Sequence, residues 1–444
     1  MRWWVYNLLF AVVYVALLPQ FLLRMKRRGG YRNRMSDRFG YYPEEVLQRL
    51  RRMEGAVWIH AVSVGEVYVA GQVMRSLRER APDIRFVFST TSSTGWKEAE
   101  KQVGPEDVLI YNPLDFPRCV KRALDAVRPR GFILTESEIW PNLIRACHRR
   151  GVPLFLVNAR VSDRSAPGYR RLRFWFGPVL RMFTAIMAQS EADKRRLVDA
   201  GGDPARIEVT GSFKFDVANR NPAKEQAVGE FLARHDCGPD RLVLLGGSTW
   251  PGEDAVLIGI CKRLCVRYPS LRLVIVPRHF EKADAVQAEI EKAGFACVRK
   301  SGEEGGLAAV KPKPGASSVV VGDTTGELMG FYGNADIVFV GKSLSEHGAQ
   351  NMIEPCLCGA ATLVGPYTEN FRPVMSDLLA AGALIQVPDA ETLEREIGRL
   401  AGNATVRREL GERGTAAVLR RKGVVARCAA SLVRKIYGSG GRSE

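Results

Sequence analysis

Several kinds of chemistry are missing from this sequence. It has no G-x-x-x-x-G-K-[ST] run, which excludes a P-loop ATPase. Its five histidines (His60, His148, His235, His279 and His347) stand apart without H-E-x-x-H spacing, and no D-x-D pair occurs. The usual means of gripping a zinc ion, or a divalent cation between pyrophosphate oxygens, are therefore lacking. Nine cysteines are scattered with no C-x-x-C pair, so neither a zinc ribbon nor a thioredoxin motif is indicated. Such an odd, unpatterned set points to reduced thiols and a cytoplasmic location for the bulk of the chain. No internal repeat, low-complexity tract or Gly/Pro-dominated stretch is present. Acidic residues are in deficit: 48 Asp+Glu face 65 Lys+Arg, a formal net charge of +17. That excess predicts an anionic partner, whether nucleic acid, an acidic membrane surface or a phosphorylated substrate.

What is present is a globular composition, 46% hydrophobic and 25% charged, in 444 residues, enough for two or three domains. Trp3 to Leu23 runs 21 residues without a charge, about the length needed to cross a bilayer. Trp3 and Trp4 stand where an aromatic belt would sit, and "RMKRRGGYRNR" follows directly, which by the positive-inside rule leaves the rest in the cytoplasm. No A-x-A site follows, which argues against a cleaved signal peptide. Two readings stand: a single-pass anchor over residues 1–26, kinked at Pro19, or a helix lying in the membrane interface.

From residue 55 onward short apolar runs alternate with longer amphipathic stretches. In the first half the runs are AVWIH, IRFVFS, DVLIY, GFILT, VPLFLVN, AIMAQ and IEVTG; in the second they are RLVLLGG, LRLVIV, FACV, SSVVVG, ADIVFVG, ATLVG and LIQV. Runs buried on both faces and joined by helices read as parallel strands. Two open α/β domains follow, over 27–216 and 241–437, with a linker and helix over 217–240. In such sheets ligands bind beyond the carboxyl ends of the strands, and a cleft between the two domains is a natural place for a substrate. Residues 301–318 read as a mobile loop and the tail "YGSGGRSE" as disordered.

Polar groups gather where strands stop. "WIHAVSVGEVYVAG" runs from a strand into a turn that delivers Glu66. Ser63-Val64-Gly65-Glu66 fits a helix capping box, and it equally presents a catalytic carboxylate. In the second half "GSTWPGED" and "TTGEL" are small-residue turns opening helices, suited to a phosphate. Arg278 is a forked cation for such a phosphate, and Glu354 suits a ribose diol. Without a D-x-D pair, leaving-group charge falls to Arg, Lys and helix dipoles, which suits a single phosphate better than a diphosphate.

Taken together, "HAVSVGEV", "TESEIWPNL", "NARVSDRS", "TGSFKFD", "VPRH", "GDTTGELM" and "HGAQNMIEP", in this order behind an apolar helix, resemble the Kdo transferases of Gram-negative bacteria. The likeness runs from the anchor to about residue 395. It implies a GT-B fold: two Rossmann-like domains facing across a cleft, the acceptor on the first and CMP-Kdo on the second. It implies inverting transfer of Kdo (3-deoxy-D-manno-octulosonic acid) to a lipid A precursor, lipid IVA, in lipopolysaccharide synthesis, with no metal and no cofactor. It places the enzyme on the cytoplasmic side of the bacterial inner membrane, among anionic lipid, with no role for nucleic acid. Glu66 matches the family's general base, and Glu136 and Lys214 match positions assigned to transition-state stabilisation. Glu136 can serve an oxocarbenium-like centre or hold Lys214, and the sequence does not separate these. CMP contacts carry over to Pro277, Arg278, Thr325, Gly326, Glu327, Asn351, Met352, Ile353 and Glu354. Some members read "GGHNPLE" where this chain has "GAQNMIE", so Ala349 and Gln350 alter the turn before Asn351. Arg160, Arg164 and the arginine-rich segment 168–183 are candidates for acceptor phosphates and anionic lipid; the segment also reads as a helix half buried on its own sheet. The rival enzyme is another GT-B protein with a UDP donor, which UDP and not CMP would compete for. A nucleic-acid-binding protein would need salt-sensitive affinity for DNA and leaves the apolar anchor unexplained.

Overall fold

The computed structural model describes residues 3–28, 34–304 and 318–438. Residues 29–33 of the basic run, 305–317 of the expected loop and 439–444 of the expected disordered tail lie outside them. All fourteen apolar runs form strands, and the strands make two parallel sheets of seven.

The first sheet holds β1 (Val57–His60), β2 (Phe86–Thr90), β3 (Val108–Tyr111), β4 (Gly131–Thr135), β5 (Leu154–Ala159), β6 (Ala185–Ala188) and β7 (Ile207–Val209), in the order β3-β2-β1-β4-β5-β6-β7. Val57 pairs with Phe86 on one side and Gly131 on the other, so β1 is central. Alternate residues feed separate cores. Trp58, Val87, Phe132 and Leu154 pack on one face, and Ile59, Phe88, Ile133 and Phe155 on the other. Burial on both faces is why these runs are almost wholly apolar, each large side chain contributing about 1.5–3 kcal/mol. The chain leaves β1 in one direction across the sheet and β4 in the other. Beyond the carboxyl ends of β1 and β4 a crevice is therefore expected.

The second sheet holds β8 (Leu242–Thr249), β9 (Leu271–Pro277), β10 (Ala296–Arg299), β11 (Ser318–Val321), β12 (Ile337–Val340), β13 (Ala361–Val364) and β14 (Ile385–Gln386), in the order β10-β11-β9-β8-β12-β13-β14. Here the direction reverses between β8 and β12. Gly341, just past β12, is required by that junction: a Cβ there would lie 2.3 Å from the Ser248 carbonyl oxygen.

The domain limits differ from those expected. One compact unit comprises residues 1–213 with 423–444, the other residues 214–422. The expected linker contains the helix Pro222–Arg234, whose Val228, Phe231 and Leu232 are buried in the second unit's core. The last helix, Val424–Tyr437, returns to the first unit. Its Val424, Val425, Cys428, Ala429 and Leu432 form one apolar face, which joins the core on which the helix Val64–Arg80 packs. Cys428 Sγ lies 2.9 Å from Met187 Sδ in that core. The nine cysteines are all unbridged.

The helix Trp3–Arg28 is long and apolar enough to cross a membrane. It is not free-standing. Tyr6 donates to Asp115 Oδ2 at 2.7 Å, and Asn142 Nδ2 donates to Asn7 at 2.7 Å. Phe10 and Tyr14 meet the Phe116 ring edge-on at 5.0 and 5.6 Å, and Arg145 lies 4.3 Å over Trp3. Trp3, Tyr6, Asn7, Phe10 and Tyr14 follow i, i+3, i+4, i+7 and i+11, one helical face. Trp4, Leu8, Leu9, Val12, Val13, Val15 and Leu17 are left exposed on the rest.

Candidate active site

In the first unit β1 ends at His60, and three residues later Ser63 caps the helix Val64–Arg80. Ser63 Oγ accepts from Glu66 N at 3.3 Å and donates to Glu66 Oε1 at 2.9 Å. Val62 N donates to Glu66 Oε2 at 3.0 Å, and Thr135 Oγ1, at the end of β4, lies 3.2 Å from the same oxygen and 3.0 Å from the His60 carbonyl oxygen, with one proton to share between them. The turn is thus a capping box with Val62 in place of the usual N-cap N–H, and it still presents a half-buried carboxylate at the switch between β1 and β4. Capping and presentation are the same geometry.

Glu136 follows β4 directly and has φ of 53°, a left-handed conformation that costs a non-glycine residue of order 1–3 kcal/mol. Asn158, near the end of β5, also has φ of 53° and places Nδ2 3.4 Å from Glu136 Oε1. Asn158 Oδ1 accepts from Phe213 N at 3.2 Å. One side chain thereby joins "TESE", "NARV" and "GSFKF". Among the described non-glycine residues seven have positive φ, and five of them (Glu136, Asn158, Ser248, Lys342 and Ala349) lie at the carboxyl ends of strands or in the loop after β12. Backbone strain concentrated on those edges is what a functional edge shows.

Glu138, two residues on, was not singled out from sequence. Burial first, then the charges of Glu66 and Glu136, push its carboxyl up to about 7, against the opposing bond from Trp140 Nε1 at 3.1 Å. His60 faces it, with Nε2 4.0 Å from Glu138 Oε2. His60 is fully buried, and burial holds its pKa down to about 3, so the ring is neutral. Its Nδ1 lies 3.0 Å from the Ser89 carbonyl oxygen and 2.9 Å from Ser89 Oγ, while Nε2 is buried without a hydrogen-bond partner.

Arg160 is half buried and Arg164 exposed. Segment 168–183 forms parts of two short helices, Ala166–Arg171 and Arg173–Leu180, rather than one. Val179, Leu180 and Phe183 are core residues, while Leu172 and Phe174 (60%) are exposed. The segment is thus half buried on its own sheet, with Arg170, Arg171, Leu172, Arg173 and Phe174 exposed on its other side. Arg170, Arg173 and Arg181 line a cavity of about 570 Å³ there, with Phe174 at its wall.

In the second unit Lys214 opens the chain. Its Nζ donates to the Asn370 carbonyl at 2.8 Å and lies 3.9 Å over the Phe371 ring. Glu369 in the same loop bonds His347 Nδ1 at 2.8 Å, and a Cβ on Gly348 would come within 2.4 Å of Asn370 Nδ2. Lys214 is thus tied to the loop that leads into Asn351. Asn351 Nδ2 donates to Glu354 Oε1 at 3.0 Å, and Asn351 Oδ1 accepts from Ile353 N at 3.2 Å. Met352 and Ile353 are buried, and burial raises the Glu354 carboxyl above its ordinary value. Pro277 ends β9, and Arg278 beyond it is exposed. Thr325 and Gly326 (φ 80°) are exposed in the turn after β11, where Lys224 Nζ holds the Gly326 carbonyl at 2.8 Å. Glu327 pairs with Lys300 at 3.0 Å.

Two expectations for phosphate turns need correction. The turn "GSTWPGED" does not offer free N–H groups throughout. Buried Glu253 accepts from Trp250 N (2.9 Å), Lys342 N (2.7 Å), Ser343 N (3.0 Å) and Leu344 N (3.0 Å), and so pins the loops after β8 and β12 together. The helix after "TTGE" is only Leu328–Tyr332, too short for a large dipole. The cationic groups at this edge include one that sequence reasoning missed. Lys342, at φ of 56°, sets its ammonium 4.7 Å over Trp250, whose ring meets His279 at 5.3 Å. Among the described residues no group of three His, Cys, Asp or Glu side chains is arranged to hold a metal.

Two parallel sheets of Rossmann type, with polar groups massed beyond the carboxyl ends of their strands, define a protein of the GT-B class. The solved structure of a putative UDP-N-acetylglucosamine 2-epimerase from Listeria monocytogenes shares this architecture, with a TM-score of 0.57 over 88% of this chain and 99% of that one; at 13% identity the likeness is one of fold. The family model for 3-deoxy-D-manno-octulosonic-acid transferase (kdotransferase) matches residues 33–217. The 3-deoxy-D-manno-octulosonic acid transferase of Haemophilus influenzae is 31% identical over 398 residues, 89% of this chain and 90% of the relative. That of Bordetella pertussis is 36% identical over 348 residues, 76% and 77% of the two chains. The chain belongs to the 3-deoxy-D-manno-octulosonic acid (Kdo) transferase family, and is a glycosyltransferase.

Proposed function

We propose that this enzyme moves Kdo from CMP-Kdo to a sugar hydroxyl of a lipid A precursor, lipid IVA, by a single inverting displacement that requires no metal. The observation that carries the proposal is Glu66, a carboxylate held by the Val62 N–H and the Ser63 hydroxyl at the β1/β4 switch, with Thr135 Oγ1 at 3.2 Å. The acceptor hydroxyl oxygen attacks the anomeric carbon of Kdo while the bond to the CMP phosphate breaks, its electron pair going to the phosphate oxygen. The hydroxyl proton passes to Glu66. A carboxylate is a weak base for an alcohol, so the transfer comes late, once the attacking oxygen has acidified. Glu136, set by its left-handed backbone and by Asn158, stabilises positive charge at the anomeric carbon. Lys214 meets the charge developing on the departing CMP phosphate.

For the nucleotide, Arg278, Thr325 and Gly326 supply an exposed cation, hydroxyl and backbone to the phosphate, beside Pro277. Glu354, oriented by Asn351 in the run with Met352 and Ile353, accepts from the ribose diol; Glu327 and Lys300 hold the intervening turn. On the acceptor side, Arg170, Arg173 and Arg181 suit the phosphates of the lipid, with Arg160 and Arg164 as further candidates.

The proposed site of action is the cytoplasmic face of the bacterial inner membrane. The docked face of the Trp3–Arg28 helix favours an interfacial seat over a free span. Its first three turns lie against the first domain and so are unavailable to cross a bilayer apart from it. The exposed Leu8, Leu9, Val12 and Val13 then enter the lipid.

The test is Glu66→Gln, which keeps the shape of the cap and removes the base. Transfer should fall about 10²–10⁴-fold, with CMP affinity and thermal stability nearly unchanged. Retained transfer together with a drop in stability would leave Glu66 a capping residue only. A divalent chelator should leave the wild-type rate intact, and CMP, not UDP, should compete with the donor.

A further inference from the structure

The second sheet reverses direction between β8 and β12, and one buried carboxylate holds the loops that leave those strands. Glu253 takes the N–H of Trp250 on one loop and those of Lys342, Ser343 and Leu344 on the other. Lys342, two residues past β12, has a left-handed backbone with φ of 56°. Glycine adopts that conformation without strain, and lysine does not. The half-buried side chain sets its ammonium 4.7 Å over the Trp250 ring, and Trp250 meets His279, the residue after Arg278, at 5.3 Å. The adjacent ends of β9, β8 and β12 thus carry Arg278, Trp250 and Lys342 in turn, at the crevice where sheets of this kind bind ligands. Among the described residues the side chains of Arg278 and Lys342 make no ion pair and no hydrogen bond. The indole face attracts the ammonium and does not neutralise it.

We propose that Lys342 is a donor-binding residue, whose ammonium meets the anionic end of the sugar nucleotide beside Arg278. The inference rests on the reading of the second domain as the CMP-Kdo site. CMP-Kdo carries its phosphate and its sugar carboxylate on one atom, the anomeric carbon, so two negative charges adjoin. Arg278 and Lys342 follow the two strands that flank β8, which stand about 10 Å apart at the usual strand spacing. Such a spacing admits two adjoining anions between two cations. With its loop pinned by Glu253 and its stem laid on Trp250, Lys342 is in place before a ligand arrives, so little ordering is lost on binding. Its strain is what favours a ligand over a purely structural role. Glycine would make the same turn unstrained and would lack only the side chain over Trp250.

The test uses the full chain in detergent and Lys342→Met, which keeps an unbranched side chain over Trp250 and removes the charge. Affinities for CMP and for cytidine, together with the KM for CMP-Kdo, tell the two anions apart. If the ammonium takes the phosphate, CMP should bind about tenfold or more weakly while cytidine binding holds. If it takes the sugar carboxylate, CMP binding should hold while the KM for CMP-Kdo rises about tenfold or more. Either result supports the inference and names the anion. Unchanged CMP affinity with unchanged KM would overturn it, as would an equal loss for CMP and cytidine, the mark of a disturbed loop. Lys342→Gly gives a second reading: with the backbone strain relieved, the melting temperature should hold or rise while donor binding falls as in Lys342→Met. A lower melting temperature with donor binding intact would leave Lys342 a structural residue. Wild type that binds no CMP would instead overturn the donor reading itself, and this inference with it.

Discussion

Glu66, Glu136 and Glu138 are three copies of one side chain in different settings within a few residues of two strand ends. Their difference is environment. Glu66 accepts from the Val62 N–H and the Ser63 hydroxyl at a helix N-terminus; Glu136 is set by a left-handed backbone; Glu138 has burial and two negative neighbours. The last has a consequence for stability. The folded chain holds the Glu138 proton up to about pH 7, whereas an ordinary glutamate releases it near 4.5. The folded state therefore binds more protons between those values. Its contribution is full below about 4.5 and is lost as the pH rises to about 7. The loss is of order 3 kcal/mol, from about 1.4 kcal/mol per pH unit. Glu138→Gln should accordingly raise the melting temperature relative to wild type at pH about 8 and raise it less, or not at all, in acid. A differential scanning measurement at the two pH values checks the sign. None of this was visible in "TESEIW", where the two glutamates look alike, because the charge and burial that separate them come from β1 and from the helix after it. Lys342 was hidden for a similar reason: its place over Trp250 depends on the junction of β8 with β12, far apart in sequence.

At the scale of elements, Asp115 is the clearest joint. Its carboxyl is buried and raised to about 6, by desolvation above all. Oδ2 and Oδ1 accept from Asn142 N and Leu143 N, each at 2.9 Å, at the start of the helix Pro141–Arg149, and Tyr6 donates from the N-terminal helix. Asp115→Ala should cost about 1–3 kcal/mol, since it leaves buried donors unpaired. It should also free the N-terminal helix, so proteolysis near residue 20 should speed up while Tyr6→Phe has a smaller effect in the same direction. Elements themselves were readable. The fourteen strands announced themselves as apolar runs because parallel sheets bury both faces of every strand. Their partners were less so. The period of Val424, Val425, Cys428 and Leu432 marks an amphipathic helix, yet nothing in it says which sheet the apolar face covers. The docking of the first helix rests on a contact between Tyr6 and Asp115, 109 residues apart, and the uncharged run around Tyr6 reads simply as membrane.

For the molecule as a whole, charge and apolar surface point to the same neighbour. A formal charge of +17 favours anionic surfaces, and Trp4 (65% exposed) with Leu8, Val12, Val13 and Val15 presents an apolar face on the N-terminal helix. The two contributions separate by salt. Binding of the full chain to vesicles rich in anionic lipid should weaken as ionic strength rises and the Debye length falls from about 10 Å towards 3 Å. A salt-resistant remainder should persist and disappear in Val12→Glu/Val13→Glu. Flotation assays at low and high salt measure both parts, and binding that salt abolishes entirely would remove the helix from the account.

The central claim, that this chain is a Kdo transferase with Glu66 as its base, is tested most directly by weighing the lipid product. Detergent-solubilised wild type and Glu66→Gln would each be incubated with freshly made CMP-Kdo and lipid IVA. The account predicts a mass gain of whole Kdo units with wild type and a loss of about 10²–10⁴-fold in rate with the variant, both proteins remaining folded and binding CMP. An unchanged lipid mass with folded, CMP-binding wild type would contradict the assigned reaction, and transfer at the wild-type rate by Glu66→Gln would contradict the assigned base.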